Sequence, residues 1–155
     1  MKKMFILLIL GVLTLSGCVA GDIEARAPWA RPALQGENSA VYLILHNHTR
    51  QAEELIGASS DVAEMVQIHL SQVDANGVMQ MIHQESVALK AGGEAVFQPG
   101  GLHIMLIGLK RDLKAGEHFT VVLHFKEHAD VRMDVTVQPL EGMEMNHSHE
   151  GTQMP

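Results

Sequence analysis

Four side chains in this 155-residue chain are spaced to act together: His69, Met81, His103 and Met105. Eleven residues separate His69 from Met81, twenty-one separate Met81 from His103, and Met105 lies two beyond His103. Two imidazoles and two thioethers are a soft, neutral donor set. Such ligands favour Cu(I) over hard cations such as Mg²⁺ and Ca²⁺, and imidazole also suits copper. The pattern demands neither a cysteine nor a carboxylate. Met79 and His83 flank Met81 at two-residue spacing and are alternate ligands on the same expected face.

Each donor has an ordinary alternative. A methionine is most often a flexible filler of core gaps. Met133, alternating with valines, is expected in the core, and Met65 is assigned there too. Lone strand histidines are usually surface or structurally bonded residues, and His46, His48, His118, His124 and His128 are placed in that class. The four candidate ligands differ because they lie opposite apolar residues on strands that also present a hydrophobic face.

Those strands follow from alternation. In Met65-Val66-Gln67-Ile68-His69-Leu70, the residues Val66, Ile68 and Leu70 share one face while Met65, Gln67 and His69 share the other. Asp74-Ala75-Asn76-Gly77 is a hairpin signal, Asn-Gly supplying positive φ. The returning strand puts Met79, Met81 and His83 on one face. After Gln98-Pro99-Gly100-Gly101, a turn, His103 and Met105 point one way and Ile104 and Leu106 the other. Val41 to Leu45 reads as a strand buried on both faces, and Gln51 to Ser59 as another. Phe119 to Phe125 and Val131 to Val137 are amphipathic strands. Short strands punctuated by Gly, Pro and Asn predict an antiparallel sandwich or barrel. Ala27 to Pro32, with two prolines, predicts an edge strand or extended lead-in.

Composition narrows the function. Cys18 is the single cysteine, so no disulfide framework forms within one chain. A blue-copper site needs a thiolate beside two histidines, and multi-cysteine zinc sites and thiol redox motifs likewise need cysteines the domain lacks. No Ser-His-Asp pattern, carboxylate pair or Gly-x-Ser-x-Gly elbow points to catalysis. The formal charge is −7, and loss of Lys2 and Lys3 with a leader makes it −9, which gives no electrostatic footprint for nucleic acid.

Met1-Lys2-Lys3 followed by an apolar run from Met4 to Leu15 predicts a secretory signal, since that run is too short to span a bilayer. Leu15-Ser16-Gly17-Cys18 resembles the bacterial lipoprotein processing box, which implies cleavage before Cys18 and lipid on its sulfur. Several acyl chains together anchor a protein stably. Val19, rather than aspartate, after Cys18 favours the outer membrane. The expected layout is a signal peptide over 1–17, a tether over 18–26, a β-domain over 27–140 and a polar tail over 141–155. The tail's composition predicts disorder. It carries Met143, Met145, His147 and His149, which form a second, flexible copper site better suited to Cu(II).

The run from Val66 to Leu109 resembles the periplasmic copper chaperones of the PCu(A)C family. The shared residues are His69, Gly77-Val78-Met79, Met81, Ala91-Gly92-Gly93, Pro99-Gly100-Gly101, His103-Ile104-Met105-Leu106 and Gly108-Leu109. Weaker similarity runs from about Ala27 to Val137. Leu70 stands where the family often has a methionine. The resemblance implies a cupredoxin-like Greek-key β-sandwich and Cu(I) bound by His69, Met81, His103 and Met105. It implies delivery to an apo copper-site domain of a haem-copper oxidase, beside a Sco-type thiol copper protein. An envelope copper buffer without a dedicated recipient is the alternative.

Overall fold

The structure, a computed structural model, describes residues 22–139. The expected signal peptide, Cys18 and the tail with Met143, Met145, His147 and His149 lie outside the described residues. Among the described residues, ten strands make up the regular structure: β1 (Ile23–Ala30), β2 (Ser39–Asn47), β3 (Glu53–Ser59), β4 (Ala63–Val73), β5 (Met79–His83), β6 (Val87–Leu89), β7 (Glu94–Phe97), β8 (Leu102–Leu109), β9 (His118–Phe125) and β10 (Val131–Val137). They form a cupredoxin-like β-sandwich whose strand order is β5-β4-β8-β7-β2-β1-β10-β9-β3-β6.

Pairing is antiparallel except for two short parallel contacts, β1 with β10 and β7 with β8. β1 bonds to both β2 and β10 and so joins the two layers. The apolar face of each strand meets at the centre: Val41, Leu43 and Leu45 from β2, Ile68 from β4, Ile104 and Leu106 from β8, Val121 and Leu123 from β9, Val135 and Val137 from β10. Each is withdrawn from water, and burial of a Leu, Ile or Val stabilises by about 1.5–3 kcal/mol.

Two expectations are corrected. The segment over 18–26 is not all tether, because β1 begins at Ile23, which is buried and paired with Asn47. Nor is the proline-bearing stretch an edge strand or lead-in. β1 is interior, and it tolerates Pro28 because its register with β2 shifts between Arg26 and Trp29, at a bulge where Ala27 takes φ +48°. The expected β2 is buried along most of its length, as its apolar run requires.

Candidate metal centre

β4 runs down the middle of the site, with β5 on one side and β8 on the other, both antiparallel to it. Directly opposed residues of an antiparallel pair project to the same face. His69 faces His103 across β8 and His83 across β5. Gln67 faces Met105, Ser71 faces Met81, and Val73 faces Met79. The register therefore puts His69, Met81, His103 and Met105 on one face, opposite the face that carries Ile68, Ile104 and Leu106 into the core.

Turn chemistry sets this register. Between β4 and β5, the Asp74 carboxylate accepts from the backbone N–H groups of Asn76 and Val78, both at 2.9 Å, and Gly77 adopts φ +80°. Before β8, Gly100 adopts φ +78°, and the Gly101 N–H donates to the Gln98 carbonyl at 3.0 Å. The Gly101 carbonyl then accepts from the Ser71 N–H at 3.0 Å, which ties the turn to β4.

That carbonyl also orients the buried His103. Its Nδ1 lies 3.1 Å from Gly101 O, and since a carbonyl only accepts, Nδ1 carries the proton and Nε2 keeps its lone pair. Gln67 acts similarly on His69: Nε2 lies 3.1 Å from Gln67 Oε1. With Nε2–H donating, Nδ1 of His69 is a bare acceptor, and it is buried without a hydrogen-bond partner. An unsatisfied buried polar atom typically costs about 1–3 kcal/mol, so this nitrogen gains from a positive ion. Orientation of one ring nitrogen by a carbonyl or amide, leaving the other free, is the arrangement of metal-binding histidines. The donor set thus fits a soft metal ion.

The His69 ring centroid lies 5.8 Å from that of His103 and 5.8 Å from that of His83, nearly edge-on in both cases. Burial lowers the pKa of His69, and charge on His103 and His83 lowers it further. The imidazole is therefore neutral, the form a metal needs, to lower pH than an ordinary histidine. Met79, Met81, His103 and Met105 line one shallow groove of about 460 Å³, with Tyr42 and Ser71 among its walls. Met81 is 57% exposed, so one thioether is presented to solvent. Among the described residues, no three His, Cys, Asp or Glu side chains converge as a metal-holding group. A coordination sphere of more than two protein ligands here draws on the thioethers.

Sequence alternation locates the four donors and puts Gln67, Met79 and His83 on their face, but not the neighbours brought in from other strands. Gln67 is found two positions before His69, on the same face. Tyr42, its ring 6.5 Å from His103 and 4.6 Å from Trp29, reaches the site only through long-range pairing of β2 with β8. Met65 is corrected: it is exposed, not core, because it shares the outer face of β4 with Gln67 and His69. Met133 is buried as expected. His48, His118, His124 and His128 are bonded to Glu24, Asp134, Asp130 and Asp22. His46 stacks on His48 at 3.9 Å, with a buried Nδ1 that lacks a partner.

A sequence profile of the family described as LpqE-like lipoproteins matches residues 23–137, which is most of the chain. The chain belongs to the LpqE-like family. This LpqE-like chain is 36% identical over 115 residues to an uncharacterized protein of Rickettsia prowazekii (strain Madrid E), a match covering 71% of this chain but 63% of that relative. The copper-bound PCuAC domain from PmoF2 superimposes with a TM-score of 0.64 at 25% identity, covering 77% of this chain and 95% of that domain. The Cu(I) form of DR1885 from Deinococcus radiodurans superimposes with a TM-score of 0.56 at 25% identity, covering 79% and 83%. The resemblance to PCu(A)C domains drawn from the sequence is thus met in the fold.

Proposed function

We infer that this LpqE-like protein is a copper carrier of the bacterial cell envelope, binding Cu(I) through His69, Met81, His103 and Met105. The observation that carries this reading is the bare, buried Nδ1 of His69, on the same face as His103, Met105 and Met81. Two similar domains of known structure hold copper, one of them as Cu(I). Thioethers hold Cu(I) without adding charge and hold Cu(II) poorly. The neutral imidazoles complete the set while Gly101 and Gln67 keep their rings in place.

A carrier must also release its cargo. Met81 stands exposed on β5, all five of whose residues are exposed, so an incoming ligand displaces the outermost sulfur first. The protein then performs ligand exchange and no covalent chemistry. Lipidation at Cys18 tethers it to the membrane, with the outer membrane as the proposed address. The recipient is an apo copper-site domain of a haem-copper oxidase, with a Sco-type thiol protein acting beside it. The tail residues Met143, Met145, His147 and His149 supply a second site for Cu(II).

The test has two parts. Anaerobic titration of the apo protein should give tight Cu(I) binding that Met105→Ala weakens at least tenfold. The loaded protein, mixed with an apo oxidase copper domain, should transfer its ion preferentially. An unchanged Met105→Ala isotherm removes the clamp. Tight binding without preferential transfer leaves an envelope copper buffer.

A further inference from the structure

The row of imidazoles does not end at His69. His83 on β5 stands opposite His69 just as His103 does on β8, and the two centroid separations are both 5.8 Å. An ion held about 2 Å from a nitrogen of each ring sits about 3 Å from each centroid, so two rings that share it have centroids no more than about 6 Å apart. Both neighbouring pairs meet that limit. The outer two belong to strands that do not adjoin: β5 and β8 flank β4, so the backbones of His83 and His103 stand two strand spacings, about 10 Å, apart, and among the described residues no three such side chains converge as a metal-holding group. One ion can join His69 with His103 or His69 with His83, and not all three.

We propose that His83 and His69 form a second, outer copper half-site that takes Cu(II), sharing His69 with the Cu(I) clamp. The chemistry of the two sides differs. On the β8 side His103 is buried and adjoins the thioethers Met105 and Met81 in one groove, surroundings that suit Cu(I). On the β5 side His83 is exposed, so water completes a nitrogen-and-oxygen sphere of the kind Cu(II) prefers. His69 can serve either partner, since both rings lie 5.8 Å from its own and its Nδ1 carries no hydrogen bond. The proposal rests on the copper-carrier reading for its inner half only; the outer pair is independent of the thioethers.

The experiment uses the full mature chain. Cu(II) affinity is measured by competition with a chelator, and its location by paramagnetic broadening of histidine ring resonances. Cu(I) affinity is measured anaerobically. Comparison is made among a chain carrying His147→Gln and His149→Gln, which removes the tail imidazoles and serves as the reference, and the same chain with His83→Gln or Met105→Ala added. The half-site predicts broadening of His69 and His83. His83→Gln should weaken Cu(II) binding at least tenfold and Cu(I) binding less than about threefold, while Met105→Ala should do the reverse. Unchanged Cu(II) affinity in His83→Gln overturns the half-site, as does broadening confined to His46 and His48. Equal loss of Cu(I) in His83→Gln also overturns it, by making His83 part of the clamp. If Met105→Ala binds Cu(I) like the reference while His83→Gln loses Cu(II), the clamp fails and the half-site stands.

Discussion

His69 is the residue on which the site turns, because it is flanked on both sides by another imidazole and backed by Gln67. Burial disfavours its charged form, and charge on either neighbour opposes a third positive ring. NMR titration of the apo protein should place its ring pKa below the ordinary histidine value of about 6.5. His83→Gln should move it upward. The same shift has a consequence for folding. A lowered native pKa means the unfolded chain binds this proton first, so the contribution is fully present above about pH 6.5 and is lost as pH falls through the native value. Urea unfolding of the apo protein should lose stability across that window, and His69→Gln should remove this part of the loss. A ring pKa at or above the ordinary value contradicts the account.

At the scale of elements, the turns hold the ligands in register. Gly100 has open space where a Cβ would be, so a substitution there is felt through its φ of +78° alone. Gly100→Ala should therefore cost about 1–2 kcal/mol, read from the urea midpoint. It should also weaken Cu(I) binding, since the Gly101 carbonyl that orients His103 follows that residue. A variant as stable as wild type would show that the turn is not strained by a side chain. The sequence made these strands legible where two-residue alternation is clean. Gln67–His69, Met79–Met81–His83 and His103–Met105 each assign their own face without help from neighbours. Which strands beyond a hairpin lie side by side depends on contacts between distant segments, so the approach of His103 to His69 and of Tyr42 to His103 is not readable from alternation. The alternation of β1 is not legible because a bulge breaks it and admits Pro28.

Across the whole molecule, the site sits on the outside of a sandwich whose inside holds it steady. Ile104 lies between His103 and Met105 and is fully buried, so the core fixes the strand that presents both ligands. Ile104→Ala should cost about 2–5 kcal/mol, visible as a lower thermal midpoint, and should loosen copper binding as well. A placement on the outer face near the free edge of the sheet leaves the groove open to a partner, as the proposed carrier function requires. The central claim is that two sulfurs and two nitrogens meet at one cuprous ion. X-ray absorption at the copper edge of the anaerobically loaded protein tests it most directly. The account predicts two sulfur and two nitrogen scatterers, with one sulfur lost in Met105→Ala; a shell of nitrogen and oxygen alone, or a spectrum unchanged by that substitution, would contradict it.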